Sequence, residues 1–338
     1  MMLEIGDEAP IDRKTGNPTT GAKHLLAKVG THPFYAKVLE HREVGTIKTR
    51  YVTYPVKRDG KIHPKYQPLP KSGRLSSVKP NGQNIAGNSE LATEFRKVLI
   101  ASTGCVLLRR DYSGIEALIT GYLAADPLIE RLATLGIHAW VVGNYLEMEM
   151  PDVDDPTLVP ILDKIKADNP TLYKKFKTTL YMIFFGAGPK RIWEENRGVF
   201  ESYTEAFRLR TFIRKLFPGL TRWQQTVVGQ TRQLHYVRIP FNNNRWLWNI
   251  PGADAAKSIA QWPQGCAAGV IKQAMIRVDG DPLISDYLIQ QVHDELVLDC
   301  PENTWRRSDC RLKHCMEQPI PELGGMVIAT SRKVGKTL

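Results

Sequence analysis

Apolar residues recur along the chain at two spacings, one typical of helices and the other typical of strands. Residues 34–48 (FYAKVLEHREVGTIK) carry apolar side chains at helical spacing, and this spacing also predicts a largely helical stretch over 115–193 and a helix over 255–278. Residues 1–25 are polar and rich in turn-forming residues, which predicts a loop. The Pro-, Lys- and Gly-rich residues 51–79 predict extended connections.

Two predicted strands end in acidic residues. The apolar run CVLLRR leads directly into Asp111, and YLIQQVHDELVLDC at 287–300 predicts a hairpin whose turn carries His293, Asp294 and Glu295. Carboxylates at the ends of neighbouring strands can converge on one point, and hard cations such as Mg²⁺ take oxygen ligands of this kind. Two such aspartates can hold two metal ions for phosphoryl transfer, although either acid alone is more often a solvated turn residue.

Positive charge is concentrated at one end of the chain. The 338 residues include 46 Lys and Arg against 35 Asp and Glu, a formal charge of +11, and residues 1–80 alone hold 15 basic and 7 acidic residues. Such a segment favours an anionic polymer such as nucleic acid, although a solvated lysine-rich surface explains the charge equally well. No apolar run approaches the roughly 18 residues of a membrane-spanning helix, so no membrane partner is expected. Five unevenly spaced cysteines and an acidic N-terminus without a signal pattern predict a reducing, cytoplasmic setting.

Four short segments follow one another along the chain: SGRLSS at 72–77, PNGQNI at 80–85, DYSGIE at 111–116 and QVHDELV at 291–297. The first two resemble the T-G-R-L-S-S and P-N-L-Q-N-I segments of the family A DNA polymerases, the bacterial DNA polymerase I type. The third is similar to motif A of that family, D-Y-S-Q-I-E, and the fourth matches its motif C without a substitution. The resemblance runs from about residue 15 to the C-terminus.

A lysine and two aromatic rings share one face of a predicted helix in YKKFKTTLYMIFFGAG at 173–188. Lys177, Tyr181 and Phe185 are spaced i, i+4, i+8, which suits a nucleoside triphosphate: a cation for the phosphates and rings for base and sugar. An amphipathic helix with an exposed lysine and a buried aromatic seam has the same spacing. The segment is also similar to motif B of the same family, R-x₃-K-x₃-F/Y-x₃-Y-G. That resemblance implies that Lys177 contacts the departing phosphates and that Tyr181 packs on the incoming nucleotide.

The chain departs from these motifs at several positions. Tyr173 stands where motif B begins with arginine, and Lys174 is the nearest cation. Phe185 replaces the final tyrosine of motif B, Gly114 replaces the glutamine of motif A, and Leu118 stands where an arginine is common. Phosphate affinity is the property that these changes affect most.

The resemblance further implies a steric gate and a set of DNA contacts. Glu116 would fill the space that a ribose 2′-hydroxyl needs and so select deoxynucleotides by a clash. His138 would lie near the triphosphate, and Tyr181 predicts ready incorporation of dideoxynucleotides. The residues that would contact primer–template are Arg74, Gln83, Asn84, Lys257, Gln261, Gln264 and His293. Apart from the resemblance, Trp246 and Trp248 can stack on bases, although rings of the core or partly exposed rings are the more usual role of tryptophan.

Taken together, these similarities imply a DNA-directed DNA polymerase core with a right-hand architecture. The implied fold class is α+β, with an antiparallel palm sheet and a largely helical fingers subdomain. The implied subdomains are a partial thumb and connection over 1–70, a palm over 71–125 and 255–338, and fingers over 126–254.

The same resemblance implies the cofactors and partners. Asp111 and Asp294 would bind two Mg²⁺ ions, with Mn²⁺ as a substitute, and Glu295 would assist them. The expected partners are primer–template DNA and dNTPs. The segment before residue 70 is too short for the exonuclease domain and full thumb of relatives, so no proofreading is expected and a separate polypeptide that provides these parts is a further expected partner.

Three other functions stay open on the sequence. The chain can be a DNA-binding, weakly active piece of a split polymerase, a single-subunit RNA polymerase, or a nuclease that uses two metal ions. Glu116 as a gate argues against the RNA polymerase, and nothing in a nuclease explains the lysine–aromatic helix.

Overall fold

The structure is a computed structural model that describes residues 28–54, 56–68, 73–84, 90–196, 199–241 and 255–338, together with residues 11, 16–19, 21 and 25. Much of the loop predicted over 1–25 lies outside the described residues, as do Trp246 and Trp248. The chain forms two compact units, Met1–His63 with Pro189–Phe207, and Pro64–Gly188 with Arg208–Leu338.

In the described part of the chain, the helices in order are α1 (Pro33–Ile47), α2 (Glu90–Arg96), α3 (Ile115–Leu123), α4 (Pro127–Leu135), α5 (Ile137–Tyr145), α6 (Leu158–Asp168), α7 (Pro170–Phe184), α8 (Pro189–Glu195), α9 (Tyr203–Leu216), α10 (Pro218–Leu234), α11 (Lys257–Asp279) and α12 (Trp305–Met316). The strands are β1 (Lys65–Pro68), β2 (Leu75–Val78), β3 (Cys105–Tyr112), β4 (Leu288–Val292), β5 (Glu295–Pro301) and β6 (Thr330–Gly335).

The predicted helices are confirmed, with boundaries set by local caps. Helix α1 begins at Pro33, whose missing N–H costs nothing at a helix start, and the His32 side chain accepts a hydrogen bond from the Phe34 N–H (3.1 Å). The stretch predicted over 115–193 is a series of helices rather than one. Helix α4, for example, begins where the Asp126 carboxylate accepts a hydrogen bond from the Ile129 N–H (3.2 Å).

Four antiparallel strands form the main sheet, in the order β4-β5-β3-β6. Strand β3 lies between β5 and β6, so that Asp111 pairs with Glu295 on one side and with Ser331 on the other. Strands β1 and β2 form a separate antiparallel pair. The prediction of plain extended connections over 51–79 was therefore incomplete, because β1 and β2 are only four residues long and lack an alternating apolar pattern.

One face of β3 is packed against the hydrophobic core. Val106, Leu108 and Tyr112 alternate along the strand and belong to a buried cluster that also includes residues such as Ile271 of α11 and Leu312 of α12. This packing fixes the acidic end of β3, because alternate side chains of the same strand, among them Asp111, point to the opposite face. No helix of the described residues is long and apolar enough to cross a membrane.

Candidate active site

The two predicted metal ligands lie at the same end of the sheet, Asp111 on β3 and Asp294 in the turn that leads into the neighbouring strand β5. The Tyr112 N–H donates to the Asp294 carbonyl oxygen (3.2 Å), and Glu295 pairs directly with Asp111. The hairpin turn consists of His293 and Asp294 alone, and Glu295 is the buried first residue of β5 rather than part of the turn as predicted. His293 has a φ of 54°, a left-handed conformation that is uncommon outside glycine, so the turn holds backbone strain beside Asp294.

Negative charge is concentrated where these strands meet. Burial, followed by the charges of Asp294 and Glu295, raises the pKa of Asp111 to about 7. Burial, opposed by a backbone hydrogen bond and reinforced by the charge of Glu116, raises the pKa of Asp294 to about 6. Both carboxylates resist ionisation as long as no cation is present.

The two aspartates fit a divalent cation. No cluster of three or more His, Cys, Asp or Glu side chains placed to hold a metal ion occurs in the described part of the chain. Mg²⁺ nevertheless is typically bound through one or two carboxylates and completes its shell with water and substrate phosphates. Asp111 and Asp294 offer that number of hard oxygen ligands, and a bound cation would relieve their mutual repulsion.

Glu295 is held by an arginine that the sequence analysis did not single out. Arg109 Nε donates to Glu295 Oε1 (3.1 Å) and Arg109 Nη2 donates to Oε2 (2.9 Å). Both carboxylate oxygens are thus engaged. The sequence did contain a signal for this contact, since Arg109 stands two residues before Asp111 on a strand and must share its face.

A cleft of about 330 Å³ opens beside Asp294. Six of the predicted site residues line it, together with Ile115, Ala267 and Ala268: Arg74, Glu116, Phe185, Gln264, His293 and Asp294. Residues that are far apart in the sequence, from four of the resembling segments, therefore meet at one cavity.

Glu116 enters this cleft from the first turn of α3. The preceding Gly114 has a φ of 64°, and a Cβ atom there would lie 3.0 Å from the carbonyl oxygen of Ala133. The departure from the motif at Gly114 thus has a physical reason, a tight turn from β3 into α3. The Arg74 guanidinium donates a hydrogen bond to Glu116, whose pKa is nevertheless raised by burial.

Helix α7 presents its lysine–aromatic face away from its buried side. The buried residues of α7 are Phe176, Thr179, Leu180, Ile183 and Phe184. Lys177 is exposed, Tyr181 and Phe185 are half-buried, and the centroids of the two rings lie 6.3 Å apart. Both rings thus keep part of their surface exposed, on the face of α7 that carries Lys177. Burial, followed by the charges of Glu116 and Asp294, raises the pKa of Tyr181 to about 12.

His138 lies at the other end of this face. Its ring centroid is 5.2 Å from that of Tyr181 and 5.9 Å from that of Tyr173, and its buried Nδ1 has no hydrogen-bond partner in the described part of the chain. Burial, aided by the positive charge of Lys177, lowers the pKa of His138 to about 4. Lys174 is exposed. The ammonium group of Lys166, on the neighbouring helix α6, lies 5.6 Å from the centroid of the Tyr173 ring, a contact that crosses between helices and left no signal in the sequence.

The predicted DNA contacts are placed unequally. Lys257, Gln261 and Gln264 lie at i, i+4 and i+7 of α11 and so share one helical face, which reaches the cleft at Gln264. Gln83 is buried, and its amide is used within the protein, donating to Gln291 Oε1 (2.7 Å) and accepting from the Ser77 N–H (3.2 Å). The backbone of Asn84 belongs to a short 3₁₀ helix, Gly82–Asn84.

Comparisons with known proteins agree with this arrangement. The model of DNA polymerase family A matches residues 3–337. The thermostable DNA polymerase I of Thermus filiformis is 31% identical over 92% of this chain, and the DNA polymerase I of Lactococcus lactis subsp. lactis is 27% identical over 98%. The chain spans 37% of the length of each of these relatives.

A solved structure shows the fold. The POL domain of Pol1 from M. smegmatis, in complex with DNA primer-template and dNTP, matches with a TM-score of 0.80 at 24% identity and covers 99% of this chain and 59% of that chain. This likeness, together with the antiparallel sheet and its helices, confirms the predicted α+β fold class.

Proposed function

The chain belongs to DNA polymerase family A, and on this premise we propose that it is a DNA-directed DNA polymerase core that adds deoxynucleoside monophosphates to a primer 3′-hydroxyl. The observation that carries the proposal is the meeting of Asp111 and Asp294 beside a cleft lined by Arg74, Glu116 and Phe185. The alternative functions weighed on the sequence gain no observation of their own.

Asp111 and Asp294 would hold two Mg²⁺ ions, or Mn²⁺ in their place. When bound, such ions lower the pKa of the primer hydroxyl and neutralise charge on the triphosphate. The aspartates support this role because burial, reinforced by neighbouring carboxylates, raises the pKa of both. Hard oxygen ligands in this state favour a divalent cation over an uncharged ligand.

Helix α7 would bind the incoming nucleotide. Lys177 is exposed one turn before Tyr181, so its ammonium group can neutralise charge that develops on the departing pyrophosphate. Phe185 lines the cleft and the Tyr181 ring lies beside it, with 6.3 Å between the two centroids, so that both rings can pack on sugar and base. His138, neutral because of its lowered pKa, can direct its unpartnered Nδ1 toward a phosphate oxygen, and Lys174 would lie at the outer end of the triphosphate.

The duplex would lie along the face of α11 that carries Lys257, Gln261 and Gln264. His293 and Arg74 line the same cleft as Gln264. Arg74 would exchange its hydrogen bond with Glu116 for one with the primer–template. Contacts from lysine, arginine and amide side chains to phosphate and sugar would position DNA without reading its sequence, as a polymerase requires.

In this proposal the main sheet, with residues 71–125 and 255–338, is the palm. The helices between 126 and 254 are the fingers, and residues 1–70 are the partial thumb and connection.

Primer extension by the purified chain tests the proposal. With Mg²⁺, a primed template and all four dNTPs, we expect template-directed extension that stops when EDTA is added. Asp286→Asn serves as a matched control, since Asp286 is an exposed aspartate close to the same hairpin, and it should extend like the parent. A chain that binds the primed template but adds no nucleotide in Mg²⁺ or Mn²⁺ would contradict the proposal.

The gate residue gives a separate test. Glu116 lies in the cleft, so Glu116→Ala should raise the incorporation of rNTPs relative to dNTPs, because the clash with the 2′-hydroxyl is removed. Equal discrimination by parent and variant would remove Glu116 from this role.

Tyr181 is expected to permit efficient dideoxynucleotide incorporation, and strong discrimination against dideoxynucleotides by the parent would contradict the assignment of Tyr181.

A further inference from the structure

Arg109, two residues before Asp111, binds the carboxylate of Glu295, the third acid beside Asp111 and Asp294. Arg109 grips Glu295 with two parallel hydrogen bonds of 3.1 and 2.9 Å, and the side chains are only 19% and 10% exposed. A guanidinium that meets a carboxylate in this forked manner uses both carboxylate oxygens, and it resists dissociation more than a single contact does.

Asp111 and Asp294 differ from Glu295 in their hydrogen bonds. No side chain in the described part of the chain donates a hydrogen bond to either carboxylate, although Glu295 stands directly opposite Asp111 in the sheet. The three acids of this edge are thus divided into two that lack a cationic partner in direct contact and one that is neutralised by Arg109.

We propose that Arg109 is a positioning residue that withholds Glu295 from the cation site, so that, of these three acids, only Asp111 and Asp294 bind a divalent cation. The inference rests on the proposed function, since it concerns the same cation site. It predicts that the chain holds divalent cations more weakly with Arg109 than without it, because neutralising Arg109 both removes a positive charge and releases a third carboxylate.

A second cation on the same face provides a matched control. Lys333 pairs with Arg109 across β3 and β6, and its positive charge lowers the pKa of Asp111 at least as strongly as that of Arg109 does. Lys333 has no ion pair with Glu295 in the described part of the chain. Lys333→Gln therefore removes a comparable charge from the neighbourhood of Asp111 and leaves the Arg109–Glu295 pair in place.

Mn²⁺ binding to the DNA-free chain, followed by electron paramagnetic resonance, separates these effects without any turnover. We expect Arg109→Gln to bind Mn²⁺ about tenfold more tightly than the parent, within the range known for outer-shell changes at metal sites. Glu295→Gln should bind no more tightly than the parent, because it leaves the positive charge of Arg109 without its partner beside the site. Lys333→Gln should tighten binding much less than Arg109→Gln. The gain should disappear in the double variant Arg109→Gln/Glu295→Gln, because it depends on the released carboxylate.

Arg109→Lys covers the case in which Arg109→Gln does not fold. It keeps the charge but loses the fork, so tighter Mn²⁺ binding than in the parent would also come from the release of Glu295. The proposal is overturned if the folded Arg109 variants bind Mn²⁺ no more tightly than the parent, if Lys333→Gln matches Arg109→Gln, or if the double variant keeps the gain. A parent that binds no Mn²⁺, or binds it equally well after Asp111→Asn, would instead overturn the cation site of the proposed function.

Discussion

The two faces of strand β3 treat buried charge in opposite ways. On the face of the cleft, Asp111 shares its surroundings with Asp294 and Glu295, and its pKa is raised to about 7. On the opposite face, the neighbouring residue Arg110 donates from Nε to Asp309 Oδ1 of α12 (2.6 Å), inside a network in which every charge has a partner. In the described part of the chain, Asp111 therefore has no cation in direct contact, whereas Arg110, the next residue along the strand, is paired within a network of ions.

The complete network contains two anions, Asp309 and Glu317, and three cations, Arg110, Arg332 and Lys313. Asp309 accepts from Arg110 and, through its other oxygen, from Arg332 (2.9 Å), while Glu317 lies 3.8 Å from Arg110 and accepts from Thr330. Burial alone would raise the pKa of Asp309, but the hydrogen bonds from Arg110 and Arg332 outweigh it and the pKa is lowered. A buried carboxylate such as Asp309 stabilises the fold because its partners lie within the chain. A buried carboxylate such as Asp111, without a cation in direct contact in the described part of the chain, is available to bind a ligand.

The largest effect should come from neutralising an acid on the cleft face. Asp111→Asn or Asp294→Asn should reduce Mg²⁺-dependent primer extension by about a thousandfold or more, since the charge that a metal ion neutralises is worth several kcal/mol. In EDTA the same variants should melt no lower than the parent, because each removes a repelled charge rather than a paired one. Thermal unfolding and single-nucleotide extension measure the two quantities. A variant that lost both stability and activity would place Asp111 or Asp294 among the structural acids.

The next effect should come from the acid of the complete network. Asp309→Asn leaves Arg110 buried without its main counter-charge, which should lower the free energy of unfolding by about 3–5 kcal/mol. Urea denaturation measures this loss. The folded Asp309→Asn protein should still extend primers at close to the parent rate, because Asp309 lies on the face of β3 away from the cleft. A stable but inactive Asp309→Asn protein would contradict the assignment of a structural role to Asp309 and a functional role to the cleft face.

The two faces should also differ in their pH dependence. The folded pKa values of Asp111 and Asp294, about 7 and about 6, exceed the value of about 3.9 in an unfolded chain. Between about pH 4 and pH 7 the folded state therefore binds more protons at these groups, so their contribution to stability falls as pH rises. In EDTA, Asp111→Asn/Asp294→Asn should gain on the order of 1–2 kcal/mol relative to the parent across this window, after allowance for solvent screening.

Because the double variant is compared with the parent, the contributions of other groups that titrate in this range cancel. His138, whose lowered pKa of about 4 makes stability rise with pH over part of the window, is present in both proteins. Asp309→Asn should show no such gain between pH 4 and pH 7, since the lowered pKa of Asp309 contributes stability that is lost only as pH falls below about 4. Parallel stability curves for the parent and the double variant would show that burial does not raise the pKa values of Asp111 and Asp294 in the folded protein.

The sequence predicted the acidic edge of the sheet because its determinants are local. The β4–β5 hairpin has a two-residue turn, so the apolar runs on either side of His293 and Asp294 were enough to place Asp294. The strand before Asp111 was equally apparent from CVLLRR. The matching motifs then connected two acids that local patterns alone left unrelated.

The complete network on the other face could not be predicted in the same way. Its partners come from α12 and β6, about 200 residues from Arg110 in the sequence, and β6 is a short polar strand without an alternating apolar pattern. Register across β3 and β6, which decides that Arg110 faces Arg332, is a property of the folded sheet. The strands β1 and β2 were missed for a different reason, since they pair locally but are only four residues long and lack an alternating apolar pattern.

The smallest effect should come from Arg332, the more exposed of the two arginines that bind Asp309. Arg332 is 50% exposed and its partner Asp309 keeps a second cation, so Arg332→Gln should cost about 1 kcal/mol or less, as exposed ion pairs do. Arg110 is 7% exposed and its loss leaves Asp309 with only the exposed arm of the network, so Arg110→Gln should cost about 3–5 kcal/mol. Urea denaturation of the two variants at pH 7 gives both values. Equal losses would mean that burial does not decide which pair stabilises the sheet, and in that case the same criterion could not separate Asp111 from Asp309.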